Sequence, residues 1–237
     1  MKAIFCWSGG KDSSLALYNV QQEKTYDVVY LLTTLNENHK RISMHGVREE
    51  LLDAQANALG IPLLKVWVKE GTNQEYEQQM ERVLLKAREE GVTHVIFGDI
   101  FLEDLRLYRE ENLKKVDLKA VFPLWKQNTS ELIREFISLG FKTITCCVND
   151  QYLDEGWVGR EINDQFVKEL PAAIDPCGEN GEYHTFCYAG PIFNKSIKIK
   201  TEEKVYRPLE IKTDDCTSSS APLTKGFWFC ELVENDQ

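Results

Sequence analysis

A glycine pair at the joint between an apolar run and a helical pattern constrains this chain more than any other feature. Residues 3–7 are mostly apolar and suit a buried strand, and Leu15, Leu17 and Val20 follow on a stretch of good helix formers. Between them lies Ser8-Gly9-Gly10-Lys11-Asp12-Ser13. A helix N-terminus at such a joint presents N–H groups without intrahelical partners and the positive end of its dipole, which together attract anions. Gly9 and Gly10 permit a sharp turn and close approach to a ligand, Ser8 and Ser13 add hydroxyls, and Lys11 adds a cation. The loop reads as a phosphate cradle, against the plainer reading of a serine-glycine turn.

Its spacing selects among the known cradles. The Walker A pattern would need glycine at position 5, where Phe5 stands, and Ser or Thr at position 12, where Asp12 stands. The dinucleotide-binding glycine pattern also fails. The stretch resembles at every fixed position the pyrophosphate loop of the N-type ATP pyrophosphatases, which implies cleavage of ATP between its α and β phosphates and activation of a substrate oxygen as an adenylate.

Length and composition set the frame. A chain of 237 residues can bury a sizeable core, and no apolar run approaches the ~20 residues of a membrane helix. No signal-peptide pattern precedes Ser8. Seven cysteines at irregular spacing form no C-x-x-C pair, and Cys146-Cys147 lies in an apolar run, so a reducing, cytoplasmic setting is expected. The net charge of −10, with 28 basic against 38 acidic residues, makes nucleic acid an unexpected partner. Arg106, Arg109, Lys114, Lys115 and Lys119 come nearest to a basic stripe, but acidic residues interleave with them.

The first half alternates in βαβ fashion. Strands are expected at 3–7, 28–34, 63–68 and 94–98, and helices at 13–22, 47–59 and 74–90. The expected fold class is therefore α/β, a doubly wound, mostly parallel sheet with ligands beyond the carboxyl ends of its strands. A nucleotide-binding domain is assigned to 1–122. A smaller α+β lobe is assigned to 123–237, with a helix from Thr129, a strand at 142–148, and strand-like segments at 186–189, 196–200, 205–211 and 226–233.

Other candidates follow from these joints. Thr33 ends the second strand and is placed against adenine or ribose. His45 follows in a long connection, as a site residue or an ordinary loop histidine. Gly98 would allow close approach to a nucleotide, and Asp99 would bind ribose or magnesium, or else cap a helix. Glu103, Arg106, Arg109 and Glu110 open the next helix. Arg106 and Arg109 would clamp phosphate or carboxylate from one face, unless i,i+4 pairing holds them. The stretch Asp175-Pro-Cys-Gly-Glu-Asn-Gly-Glu-Tyr-His-Thr185 concentrates turn formers and reactive groups. Glu179 and Glu182 are the candidates there for accepting a proton from an amine or binding a cation. Cys177 and His184 lack an orienting third member for nucleophilic catalysis, and no ligand spacing supports zinc.

Together the pyrophosphate loop, the Asp99 region with residues 103–110, Pro123-Leu124-Trp125, Gly159-Arg160 and the 177–185 stretch resemble the diphthine–ammonia ligase family, over about residues 2–191. The resemblance implies an adenine nucleotide α-hydrolase (HUP-type) domain completed by a C-terminal lobe. It further implies ATP with Mg2+, ammonium as amine donor, and a carboxylate acceptor, diphthine on elongation factor two in the diphthamide pathway. On this basis residues 8–13 hold the phosphates, and Asp12 caps the helix or binds magnesium. Lys11, Arg106, Arg109, Glu179 and Glu182 are catalytic, and His45, Glu103, Glu110, Cys177, Gly178, Asn180 and His184 contact the acceptor. The chain departs from the family's Tyr-Gln-Arg-type and Gly-Glu-Gly-Gly-Glu-Tyr-Glu-Thr-type segments. It carries Leu105-Arg106-Leu107-Tyr108-Arg109-Glu110 and Gly-Glu-Asn-Gly-Glu-Tyr-His-Thr instead, similar to a branch for which amidation in cobalamin salvage has been suggested. Two alternatives stand beside this reading: a tRNA-modifying ligase sharing the loop, and a non-catalytic ATP-binding protein.

Overall fold

The computed structural model describes residues 1–42, 46–69, 73–209 and 225–235. His45 falls outside the described residues. The first half winds as β1 (Lys2–Cys6), α1 (Lys11–Glu23), β2 (Asp27–Asn36), β3 (Arg41–Ile42), α2 (Glu49–Leu59), β4 (Leu63–Val68), α3 (Asn73–Glu89), β5 (His94–Ile96), α4 (Glu103–Lys115) and β6 (Lys119–Val121). β1 lies centrally, parallel to β2 on one side and to β5 on the other, while β4 extends the sheet beyond β2 and β6 beyond β5. Only the two-residue β3 runs antiparallel. This is the α/β fold that the strand–helix rhythm predicts, with α1 leaving the end of the central strand.

The second half supplies α5 (Thr129–Ser138), β7 (Lys142–Asn149), α6 (Asp164–Glu169), β8 (Tyr183–Ala189), β9 (Ile199–Pro208) and β10 (Gly226–Glu234). Its strands form an antiparallel sheet in the order β8-β7-β10-β9. Asn128 and Asn163 cap α5 and α6 by accepting from Glu131 N and Phe166 N. The two strands expected at 196–200 and 205–211 are one continuous β9, and residues 210–211 lie outside the described part. Its charged middle, Thr201-Glu202-Glu203-Lys204, reads as a loop, but β9 is an edge strand, where charge facing water is tolerated.

One apolar cluster runs through both halves, taking in Phe5 and Leu17 from the first and Phe136, Phe186 and Leu232 from the second. A polar hub at its edge fixes how they meet. Gln55 of α2 is fully buried; it accepts from Trp7 Nε1 at 2.9 Å and donates to Gly9 O at 2.9 Å and Cys187 O at 2.6 Å. Cys187 N donates back to Gly9 O at 2.8 Å, so β8 is tied directly to the glycine loop. Gly9 has φ +77°, and a Cβ there would come within 2.6 Å of Gln55 Oε1, so the position admits only glycine.

Gln55→Ala leaves the Trp7 N–H buried without an acceptor and opens a void. It should cost about 3 kcal/mol of stability by the price of an unsatisfied buried group plus a small cavity, measured by denaturant unfolding against the parent.

Candidate functional site

The loop after β1 is held as a turn by its own hydroxyls. Ser8 Oγ and Ser13 Oγ lie 2.7 Å apart, Ser8 N donates to Ser13 Oγ, and Gly10 N donates to Ser8 Oγ at 3.3 Å. Gly10, not Asp12, occupies the N-cap of α1, so the expectation that Asp12 caps the helix is corrected: Asp12 sits inside the first turn. The first N–H groups of the turn have no helical carbonyl to bond. One of them is already taken, since Lys11 N donates to Thr185 Oγ1 at 3.0 Å.

Lys11 does not stand free in the cleft. It is buried, its ammonium meeting Asp12 Oδ2 at 2.6 Å and Oδ1 at 2.8 Å, the carbonyl of Cys177, and the ring of Tyr183 at 5.5 Å. Burial is the strongest influence and opposes its charge, but the Asp12 carboxylate together with the Cys177 and Tyr183 side chains outweighs it and keeps the ammonium protonated above its ordinary range. Lys11 is therefore a bridge between the loop and the 175–185 stretch.

Above this bridge lies a cleft of about 610 Å3, lined by Ser8, Gly10, Asp12, Ser13, Thr33, Thr34, Gly98, Asp99, Arg109, Cys177, Gly178, Glu179 and His184 among others. Both informative stretches of the sequence thus face one another, from either end of the chain. Gly98 serves a closer approach than expected: a Cβ on it would lie 3.0 Å from Ser13 N, so β5 packs directly against the loop's backbone. Thr33 is buried and donates to Trp7 O at 2.6 Å while bordering the cleft. Asp99 caps nothing, because Leu102 is the N-cap of α4. Instead it pairs with Arg109, Nε to Oδ2 at 2.8 Å and Nη2 to Oδ1 at 3.1 Å, and the guanidinium lies 4.3 Å from the Phe97 ring centroid.

Several candidates are placed elsewhere. Arg106 does not join Arg109 in a clamp: it pairs with Glu110 at 2.8 Å and stacks on Phe122 and Trp125, at 5.1 and 4.6 Å. Arg106 and Arg109 lie only about 60° apart around the helix, so it is the i,i+4 partner and the two aromatic rings that draw Arg106 away. Glu110 is thereby occupied, and Glu103 is exposed beside Lys126 at 3.5 Å. Glu182 is buried and faces its own loop, accepting from Asp175 N, Asn180 N and Asn180 Nδ2 at 3.0, 2.8 and 3.0 Å. It and Asn180 shape the loop, and neither borders the cleft. Arg160 stacks on Trp157 at 4.4 Å and pairs with Glu169, a packing role. Cys177 donates its thiol to Thr129 O at 3.4 Å, and burial pushes its pKa up, so it stays a thiol.

Glu179 is the acid that the site sets apart. Burial first, and the Asp12 carboxylate second, raise its pKa to about 7, with Lys11 opposing. A carboxyl so placed exchanges protons near neutrality. Asp12, a carboxylate beside the phosphate loop, suits a nucleotide-bound magnesium ion, which needs only one or two protein oxygens. Among the described residues no group of three acidic, histidine or cysteine side chains is assembled for a metal. Sequence reasoning passed over Gln55, Tyr183 and Thr185; the last two lie in the stretch it had singled out, and Gln55 left no signal beyond one polar residue on an apolar helix face.

An α/β sheet with this loop after its central strand, and the 177–185 stretch across the cleft, is the arrangement of the ATP-dependent ligases of the pyrophosphate-loop class. Family models of the diphthamide synthase N-terminal and C-terminal domains match residues 1–120 and 128–213, and the chain belongs to that family. It is 28% identical over 232 residues to the diphthine–ammonia ligases of Mus musculus and Homo sapiens, covering 86% of this chain and 85% of each relative. Among solved structures, a U34-tRNA thiolase, NcsA, from Methanococcus maripaludis aligns at 20% identity and a TM-score of 0.36, over 59% of this chain and 58% of that one. Among the described residues no helix is long and apolar enough to cross a membrane.

The raised Glu179 pKa has a sign consequence. Between its ordinary 4.5 and about 7 the folded protein holds a proton that the unfolded chain releases, so this group subtracts stability as pH rises through that window. Carboxyl 13C titration should place its midpoint near pH 7, and Asp12→Asn should move that midpoint down by removing the like charge.

Proposed function

We propose that the protein adenylates a carboxylate with ATP and converts it to an amide with ammonia. The observation that carries this is the convergence of the 8–13 loop and Glu179 on one cleft, with Arg109 at its side. We assign nucleotide activation to residues 1–122 and acceptor selection mainly to 123–237. The loop amides with Ser8 and Ser13 hold the β and γ phosphates, and Lys11 supplies positive charge from behind Asp12. A carboxylate oxygen of the acceptor attacks the α phosphorus. The bond to the bridging oxygen breaks, and its electron pair leaves on pyrophosphate. Arg109 offsets charge that builds on the α phosphate. Ammonia then attacks the acyl carbon of the mixed anhydride, AMP departs, and Glu179 takes the proton from nitrogen. Magnesium, held by Asp12, would supply charge neutralisation for the phosphates.

Diphthine is the acceptor that the names of the relatives suggest, and we place it on elongation factor two in a cytoplasmic setting by the family resemblance. One observation favours a different carboxylate, such as a cobalamin-salvage intermediate. Leu105 and His184, both within segments that depart from the family pattern, border the cleft. The net charge of −10 speaks against tRNA.

The two half-reactions separate the roles. Lys11→Ala should cut acceptor-dependent ATP–pyrophosphate exchange by roughly 10²–10³-fold, the loss of one electrostatic stabiliser. Glu179→Gln should leave exchange within a few-fold and lower amide formation by about 10²-fold or more. Unchanged AMP and pyrophosphate release in Lys11→Ala would remove the activation scheme.

A further inference from the structure

A second concavity, of about 480 Å3, opens where the end of β2 and the short β3 face the edge formed by β9 and β10. Arg41, Lys69 and Arg207 line it, together with Ile42, Phe227 and Phe229. Beneath them a single carboxylate, Glu231, receives three guanidinium groups: Arg41 at 2.7 Å, Arg48 at 3.2 Å and Arg207 at 3.3 Å. Among the described residues two positive charges therefore remain in excess. Lys69 stands at the same groove, loosely paired with Glu37 at 4.0 Å with both side chains exposed. The sign is opposite to that of a chain carrying −10 overall. Arg207 lies over the Phe229 ring, 4.9 Å from its centroid, a cation–π contact. Planar forks with surplus charge bind phosphate or carboxylate in preference to neutral groups.

The groove continues from the nucleotide cleft. Ile42 borders both, and β2 carries Thr33 and Thr34 into the cleft and Asn36 into the groove. Two strand residues advance about 7 Å. We propose that this groove binds a second anionic group, phosphate or carboxylate, of the same acceptor whose reacting carboxylate lies in the cleft. The acceptor is then an extended polyanionic molecule with its two anionic groups on the order of 10 Å apart. This assignment rests on the ligase reading and narrows the substrate class within it.

The test uses the full chain saturated with α,β-methylene-ATP, so that the pyrophosphate loop is filled. Calorimetric titration with inorganic phosphate and, separately, with glutarate then reads the groove. The parent should bind at least one of them, and Arg207→Gln should weaken that binding roughly tenfold, as for one charge-assisted hydrogen bond. Glu231 keeps Arg41 and Arg48 in that variant, so its fold is preserved. Lys69→Gln, on an exposed side chain, should weaken the same binding about two- to threefold. A preference for phosphate assigns a phosphorylated acceptor, and a preference for glutarate a polycarboxylate. Manganese added with the nucleotide analogue should speed relaxation of the bound 31P or 13C-carboxyl probe, and this enhancement should disappear in Arg207→Gln.

No binding of either anion, binding unchanged in both variants, or no relaxation enhancement would overturn the proposal. Selective weakening of a single-stranded RNA oligonucleotide in both variants, with the small anions unaffected, would also overturn it and assign the groove to nucleic acid. ATP–pyrophosphate exchange on the same proteins keeps the two readings apart. Lost exchange with intact anion binding counts against the ligase reading, whereas intact exchange without anion binding counts against the groove.

Discussion

The placement of one buried ammonium governs how the two halves of this protein work together. Lys11 lies where a lone cation would be strongly disfavoured, and its charge is kept by the Asp12 carboxylate and the Cys177 carbonyl. Those two partners belong to the first turn of α1 and to the 175–185 loop. Satisfying the cation therefore requires the C-terminal loop to close over the N-terminal helix. The Thr185 hydroxyl on Lys11 N and the Cys187–Gly9 hydrogen bond extend the same contact along β8. A loop that would be costly to order by itself is thus ordered by a charge that would be costly to bury by itself.

The cleft inherits its electrostatics from this closure. Asp12 and Asp99 each have a cation, Lys11 and Arg109, whereas Glu179 has burial and a like-charged neighbour. Burial raises all three carboxyls, opposed at Asp12 by Lys11 and at Asp99 by Arg109, while Glu179, with the Asp12 charge added to its own burial, reaches about 7. Glu179 is thus the acid placed to exchange protons near pH 7, beside two that are bonded to cations. The arginine-rich groove beside the cleft uses the opposite arrangement, with three guanidinium groups sharing Glu231.

Much of the architecture was legible in the chain because local signals agreed with one another. Strand, glycine loop and helix at residues 2–23 fit a single geometry, and Gly60 and Pro62 stop α2 where the apolar face ends. β9 was not legible as one strand, since an edge strand with solvated charges lacks the apolar pattern that strand reasoning uses. Within the site, residue type alone did not separate Arg106 from Arg109 or Glu179 from Glu182. In each pair one member faces the cleft and the other is consumed by a neighbour: Glu110 for Arg106, and Asp175 and Asn180 for Glu182. Gln55 was invisible for a related reason, because its value lies in three partners that are distant in sequence.

By itself the sequence determined the form of the loop after the first strand, since the turn, the N–H groups and the hydroxyls of residues 8–13 are all local. It also determined the α/β class of the first half, through periodicities that need no tertiary partner. Tertiary structure decided which acid and which arginine face the cleft and where Lys11 stands. It also joined Arg41, Arg48 and Arg207 on one carboxylate. These outcomes depend on burial and on partners some 170 to 190 residues away in the chain, as Lys11 to Cys177 and Arg41 to Glu231 show. A pKa or an ion pair belongs to an environment, and only the packed fold creates one.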